Sequence, residues 1–305
     1  MSAPSPKGEA GGFRSGFVAL VGRPNVGKST LLNALLGQKL SIVTPRPQTT
    51  RHRVVGIVES AGGQIALVDT PGLHHGHQRA LNRAMNRTAT AVLSDTDLAL
   101  LLVEALRWTD EDELALQRVL DSGRPMMAVI NKIDKVHPRS RLLPYIESLA
   151  ARGPFLAIVP ISALRGANLE DLRNTVLAHL PEGERLFPAG QVTDRSDSFR
   201  IGECIREKLT LELVEELPYG VAVEIESLTE TPDGRWEVSA VIWVDRAGQK
   251  PIVIGAGGER LKRVGRSARL ELNHLLGKRF HLTLFVKVRA DWMDDARALQ
   301  ALDME

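Results

Sequence analysis

The octapeptide Gly22-Arg23-Pro24-Asn25-Val26-Gly27-Lys28-Ser29 fits G-x-x-x-x-G-K-[ST] at every fixed position and is followed by Thr30. Glycines let such a loop wrap closely around a phosphate chain, so that backbone N–H groups and a helix N-terminus face the negative charge. Lys28 would then reach the β- and γ-phosphates, and the Ser29 hydroxyl would ligate Mg²⁺. A turn that binds nothing would require neither the lysine nor the hydroxyl. Far downstream, Asn131-Lys132-Ile133-Asp134 closes an apolar run. A carboxylate at Asp134 can accept from both the ring N–H and the exocyclic amine of guanine, a pair that adenine does not offer. Ser162-Ala163-Leu164 closes another apolar run and supplies backbone to the same pocket. The nucleotide these residues select is GTP.

Between these motifs lie residues placed to sense the γ-phosphate. Asp69-Thr70-Pro71-Gly72 ends a strand, with Asp69 in the outer shell of the metal and the Gly72 N–H facing the phosphate. Upstream, Gln48-Thr49-Thr50-Arg51 sits in a Pro-interrupted loop, where Thr50 is the expected second hydroxyl on the metal and Thr49 the alternative. The expected metal set is therefore Ser29, Thr50 and Asp69, and the groups expected to serve catalysis are Lys28, Thr50 and Gly72. Leu73 follows Gly72. A glutamine there would orient the attacking water, so a leucine implies slow intrinsic hydrolysis or help from another group. His74, His75 and His77 read as a solvated loop rather than a metal cluster.

The elements that must position these residues follow from periodicity. Phe17–Val21, Val54–Ser60, Ile65–Asp69, Leu98–Val103, Met126–Ile130 and Phe155–Ile161 read as strands, alternating with amphipathic segments through Leu180. The pattern predicts an α/β unit with a mostly parallel sheet and one antiparallel edge, over residues 17–182. Residues 1–16, rich in Ser, Pro and Gly and lacking an apolar signal core, read as a disordered tail. Residues 183–197 read as a linker. Residues 198–305 form a second, α+β unit of order α-β-β-α-α-β: a helix over 199–217, strands over 219–229 and 235–244, the cluster Gly255-Ala256-Gly257-Gly258, a basic helix to about Leu276 and a strand over 280–288.

Charge marks this second unit. Eleven Lys and Arg lie between Arg246 and Arg289, opposed only by Glu259 and Glu271. A basic face beside a Gly-x-x-Gly loop is what a single-stranded nucleic acid groove requires. Ile254, Gly255, Ala256, Gly257, Gly258, Arg260, Lys262 and Arg263 are the expected RNA contacts, while Trp236, Trp243 and Trp292 read as packing residues. The 305 residues carry 25% charged and 43% hydrophobic side chains, a net charge of +2 and one cysteine, Cys204. Those values suit a soluble protein of a reducing cytosol, with Cys204 a buried thiol. No apolar run approaches the ~20 residues of a membrane span.

The motifs quoted above, together with Gln48-Thr49-Thr50-Arg51-His52-Arg53, Glu216-Leu217-Pro218-Tyr219 and Val253-Ile254-Gly255-Ala256-Gly257-Gly258-Glu259-Arg260-Leu261-Lys262, resemble the bacterial Era GTPases over nearly the whole chain after residue 16. The resemblance implies a P-loop GTPase domain followed by a type II KH domain. It implies a monomer that binds the 3′ end of small-subunit (16S) ribosomal RNA and assists maturation of the 30S subunit. It also implies a cytoplasmic protein with peripheral contact to the inner membrane in some members. An asparagine at the place of Asn25 implies K⁺ near the phosphates. Ala256-Gly257 departs from the basic residue the family carries in its KH loop, shifting phosphate contacts towards Arg260, Lys262 and Arg263. A scaffold with a purely structural nucleotide site, and a GTPase serving another RNA, are the competing readings.

Overall fold

The computed structural model describes residues 12–46, 49–71, 80–214 and 217–302. Gln48, Gly72, Leu73, the histidines at 74, 75 and 77, and Glu216 lie outside the described residues. The first sheet has the order β2-β3-β1-β4-β5-β6. Its strands are β1 (Arg14–Val21), β2 (Val54–Ser60), β3 (Gly63–Asp69), β4 (Leu98–Glu104), β5 (Met126–Asn131) and β6 (Ile158–Pro160). Only β2 runs antiparallel, as the hairpin partner of β3. The central strands carry near-continuous apolar runs, bounded by polar residues at their ends, as strands covered on both faces do. Helices α1 (Lys28–Leu36) and α5 (Leu169–His179) cover one face. Helices α2 (Ala80–Ser94), α3 (Asp110–Ser122) and α4 (Leu142–Ala150) cover the other. All the nucleotide motifs therefore emerge at the carboxyl edge of one sheet, the place where open α/β sheets bind ligands.

Two ends differ from the periodicity. Strand β1 begins at Arg14, three residues before the run Phe17–Val21, because Arg14 pairs with Gly63 of β3 and its guanidinium reaches the carbonyl of Leu180 at 2.6 Å. Residues 14–16 thus belong to the sheet and not to a tail. Strand β6 is confined to Ile158–Pro160, since a tight turn at Gly153–Phe155 takes up the first residues of the apolar run. The segment read as a linker is fixed to this unit: buried Gln64 accepts from the N–H groups of Leu186 (2.9 Å) and Phe187 (3.0 Å).

The second unit contains α6 (Asp197–Glu212), β7 (Val221–Glu230), β8 (Arg235–Val244), α7 (Gln249–Ile254), α8 (Glu259–Leu276), β9 (Arg279–Val288) and α9 (Ala296–Ala301). β7 and β8 are antiparallel, whereas β8 and β9 are parallel and joined across α7 and α8. Helices α6 and α8 pack on one face around Ile205, Leu209, Val264 and Leu272. The apolar stripe predicts a helix to Leu217, but the chain turns extended at Leu213 and a short 3₁₀ turn, Leu217–Gly220, leads into β7. Helix α9 has no counterpart in the sequence reading. It follows Trp292 and Met293, which pack with Leu299, Leu302 and Ala222 against Leu81 and Met85 of α2. Trp292 is fully buried and donates to Gly220 O at 3.3 Å. Among the described residues no helix is long and apolar enough to cross a membrane.

Candidate nucleotide site and RNA groove

The loop between β1 and α1 carries the phosphate motif. Gly27 has φ 111°, and a Cβ there would lie 2.3 Å from Asn131 Nδ2, so only glycine fits. Pro24, Asn25, Gly27, Lys28, Ser29 and Thr30 line one wall of a cavity of about 480 Å³. Lys28 is buried, and its ammonium donates to the carbonyls of Gly22 (2.8 Å) and Arg23 (3.1 Å). Burial pulls Lys28 down to about 8, against the opposing charge of Asp69. A positive group held in this position awaits an anion.

At the other end of the cavity the base motif closes on itself. Asn131 donates to Val26 O (2.9 Å) and accepts from Ala163 N (3.0 Å), joining the phosphate loop to the Ser162–Leu164 segment. Ser162 donates to Asp134 Oδ1 at 2.6 Å, fixing the carboxylate that faces the base pocket. Leu164 lines the cavity and is otherwise exposed. Thr70 is buried with its hydroxyl on Leu20 O at 3.1 Å, and Pro71 is buried beside it.

Three side chains converge where a metal would sit. Ser29 Oγ lies 2.7 Å from Asp69 Oδ2 and 2.9 Å from Thr50 Oγ1, which in turn is 3.4 Å from Asp69 Oδ2. Asp69 Oδ1 is buried and has no hydrogen-bond partner. Two hydroxyls, a carboxylate and an unsatisfied carboxylate oxygen fit a hydrated hard cation such as Mg²⁺. Burial raises the Asp69 carboxyl, while the Ser29 hydrogen bond and the Lys28 charge oppose it. The geometry separates the two candidate threonines. Thr49 Oγ1 turns away, to Thr44 Oγ1 (2.7 Å) and Arg46 O (2.7 Å).

Arg23 is not a phosphate ligand by its side chain. It points beneath the loop to Glu104 at the end of β4, and its Nε lies 3.3 Å from the fully buried Asp112. Glu104 also accepts from Lys132 Nζ at 3.0 Å. Burial alone would raise the Glu104 carboxyl, but hydrogen bonds from Lys132 and Arg23 hold it below the usual range. Sequence reasoning passes over Glu104. The available signal is an acid ending a buried strand at the motif-bearing edge of the sheet. It also passes over Ile42, Thr44, Pro45 and Arg46, which line the cavity.

On the second unit, a groove of about 630 Å³ runs between α8 and β9. Its floor is Leu261, Leu282 and Leu284, and its rim carries Lys262, Arg266, Arg269 and His281. The loop before α8 is pinned at Gly255 (φ 77°), where a Cβ would lie 2.7 Å from that of Arg260. Ala256, Gly257 and Gly258 form a short turn leading into α8, and Ile254 ends α7 just ahead of it. Three expected RNA contacts already have partners: Arg260 donates to Ile252 O, Lys262 pairs with Glu259 at 2.9 Å and Arg263 pairs with Glu212 at 2.9 Å. The sequence reading does not single out Arg266 and Arg269, though Lys262, Arg266 and Arg269 stand at i, i+4 and i+7 on one helical face.

Family models give the two units their descriptions: a 50S ribosome-binding GTPase over residues 17–132 and a KH domain over residues 216–293. The GTPase Era of Stenotrophomonas maltophilia strain R551-3 is 50% identical over 291 residues, 95% of this chain and 97% of the relative. The chain belongs to the Era family of GTPases. The Era protein of Xanthomonas axonopodis is 49% identical over 96% of this chain and 97% of its own length. Among solved structures, a single-residue variant of Aquifex aeolicus Era bound to GDP and AlF₄⁻ superposes with a TM-score of 0.92 at 39% identity, covering 96% of this chain and 99% of that one. An Era complex with MgGDPNP and nucleotides 1506–1542 of 16S ribosomal RNA matches with the same TM-score at 40% identity, over 96% and 99% of the two chains. As an Era-family GTPase, the chain has both units of that fold in the order the sequence implies.

Proposed function

We propose that this protein is a GTP-hydrolysing switch that grips the 3′ end of 16S ribosomal RNA while GTP is bound and assists assembly of the 30S subunit. The observation that carries the reading is one chain holding both a cavity lined by Lys28, Ser29, Thr50, Asn131 and Asp134 and a basic groove, in a family whose member has been solved with MgGDPNP and that RNA segment. We assign residues 14–182 to the GTPase unit, 183–196 to a connecting segment packed on it, and the residues from 197 onward to the KH unit.

In this reading Asp134 selects guanine, with Asn131, Lys132 and the Ser162–Leu164 backbone shaping its pocket. The loop from Gly22 to Thr30 cradles the phosphates, and Lys28 exchanges its carbonyl partners for phosphate oxygens. Ser29, Thr50 and Asp69 would hold Mg²⁺, which when bound neutralises charge on the β- and γ-phosphates. The Gly72 N–H completes the γ-phosphate contacts. Leu73 offers nothing to orient water, so intrinsic turnover is slow. K⁺ beside Asn25 would supply charge in place of an arginine finger, and hydrolysis that proceeds equally fast in Na⁺ buffer would remove that part. In the groove, Lys262, Arg266 and Arg269 meet backbone phosphates while the turn Gly255–Gly258 lets the strand approach closely. The reading places the protein in the cytoplasm, and flotation with anionic vesicles tests its peripheral membrane contact.

The deciding experiment titrates the protein against a single-stranded RNA matching the 16S 3′ end, with GDP and with a non-hydrolysable GTP analogue at fixed salt. Selective binding that strengthens with the analogue is expected. Weak, unselective binding in both states would overturn the RNA assignment.

A further inference from the structure

Thr50 lies in the loop before β2, yet what holds that loop comes from the second unit. The carbonyl of Thr49 accepts from Arg206 Nη2 at 2.5 Å. Arg206 sits on α6, is 1% exposed, and is itself fixed by Glu203 through Nε (2.6 Å) and Nη2 (2.7 Å). On the other side of Thr50, Arg51 is 4% exposed and donates to the carbonyls of Val221 (2.7 Å), Pro218 (3.0 Å) and Tyr219 (3.0 Å). His52 packs edge-on against Phe199 of α6, with ring centroids 5.1 Å apart. Arg46, earlier in the loop, donates to Thr210 O at 3.2 Å. The residues on both sides of Thr50 are therefore tied to α6 and to the turn that precedes β7.

We propose that Arg206 and Arg51 are positioning residues for the nucleotide site, holding Thr50 beside Ser29 and Asp69, so that the KH unit completes the GTPase centre of the same chain. This rests on the reading of Thr50 as a metal-facing hydroxyl. The physical case is one of backbone entropy. A loop residue left to itself samples many conformations, and ordering it costs backbone entropy. Buried guanidiniums, Arg51 held by three carbonyls and Arg206 by the Glu203 carboxylate and Thr49 O, cannot leave their partners without stranding charge, so they hold the chain on both sides of Thr50. The loop is thereby ordered before any ligand arrives, and only a ligand that uses Thr50 benefits. GDP lacks the γ-phosphate beside which Thr50 would act, whereas a GTP analogue carries it.

The test uses the full chain and follows release of fluorescent GDP and of a fluorescent non-hydrolysable GTP analogue, each with and without Mg²⁺. Thr50→Ala, Arg206→Gln and Arg51→Lys are compared singly, and Thr50→Ala is combined with Arg206→Gln. Each single variant is expected to release the analogue roughly tenfold faster in Mg²⁺ and to speed GDP release in Mg²⁺ by less, with GDP release without Mg²⁺ serving as the folding control. The double variant is expected to release it no faster than Thr50→Ala alone, because the arginine acts through the threonine. Should Thr50→Ala accelerate release while both arginine variants behave as wild type, the proposal is overturned and the Thr50 reading stands. Should Thr50→Ala itself change nothing, the Thr50 reading fails first. Additive effects in the double variant would also overturn the proposal. If Arg206→Gln misfolds, as shown by altered GDP release without Mg²⁺, Arg206→Lys replaces it, since it keeps a donor for Thr49 O and should fall between wild type and Thr50→Ala. Wild-type release from Arg206→Lys in every combination with Arg51→Lys would again count against the bracket.

Discussion

The nucleotide cavity and the KH groove both bind phosphate in this reading, yet they are built in opposite ways. In the cavity the charged groups are already engaged, with Lys28 and Arg23 buried and Asp134 half-buried: Lys28 on loop carbonyls, Arg23 on Glu104, and Asp134 on Ser162. In the groove the cations stand in solvent over an apolar floor, and Arg266 and Arg269 have no carboxylate partner among the described residues. Buried groups cost stability and repay it as discrimination between ligands, whereas exposed ones give salt-dependent attraction and little selectivity. The cavity can therefore tell GTP from ATP. The groove must take its selectivity from the Gly255–Gly258 turn and from the edge of β9.

The contrast breaks most visibly at Lys28. Lys28→Met is expected to abolish nucleotide binding by calorimetry, and also to raise the melting temperature of the nucleotide-free protein. Removing a buried ammonium whose pKa has fallen to about 8 relieves roughly 1–3 kcal/mol of burial cost. A lowered melting temperature would mean that the lysine is structural, as the scaffold reading requires. Next in size is Glu104→Gln, which weakens the link between Arg23 and Lys132. GDP and GTP affinities should fall together by about 1–2 kcal/mol, with RNA affinity unchanged. A loss confined to GTP would place Glu104 at the γ-phosphate and refute its role as a brace. The smallest effect belongs to the groove. Replacing Lys262, Arg266 and Arg269 by Ala one at a time should lower the salt slope of RNA binding by about 0.7 each. The loss should be the same with GDP and with GTP analogue. Dependence on nucleotide would show that these cations move with the switch.

The same contrast explains what is legible in the sequence. The cavity sits at the ends of buried strands, so apolar runs locate the phosphate, Asp69, Asn131 and Ser162 motifs, and their residue types carry the chemistry. Side-chain direction is not legible. Thr49 and Thr50 are neighbours of one type, and what separates them is where each hydroxyl turns, Thr49 to Thr44 and Arg46 and Thr50 to Ser29 and Asp69. The end of α6 escapes the sequence for a related reason. The four-residue apolar stripe continues through Leu217, but the backbone leaves the helix at Leu213, and the turn beyond it supplies the carbonyls that Arg51 requires. In the groove, counting charge locates the face but not the free cations. Arg263 is neutralised by Glu212 of another helix, and only the fold brings the two together.

Helix α2 begins where the segment after Asp69-Thr70-Pro71 ends, and its first turn is capped from the far end of the chain. Ala80 N donates to Asp294 Oδ1 at 2.9 Å, Leu81 N donates to Met293 O at 3.0 Å, and Leu81 and Met85 pack on Trp292 and Leu299. During synthesis the GTPase unit leaves the ribosome first and can fold as a unit. Its α2 then waits for a residue 214 positions later. Until those residues emerge, the N–H groups of Ala80 and Leu81 lack these partners, and Leu81 and Met85 lack the cover of Trp292 and Leu299. The start of α2 is therefore the part of the first unit completed last in synthesis, by residues near the opposite end of the described chain.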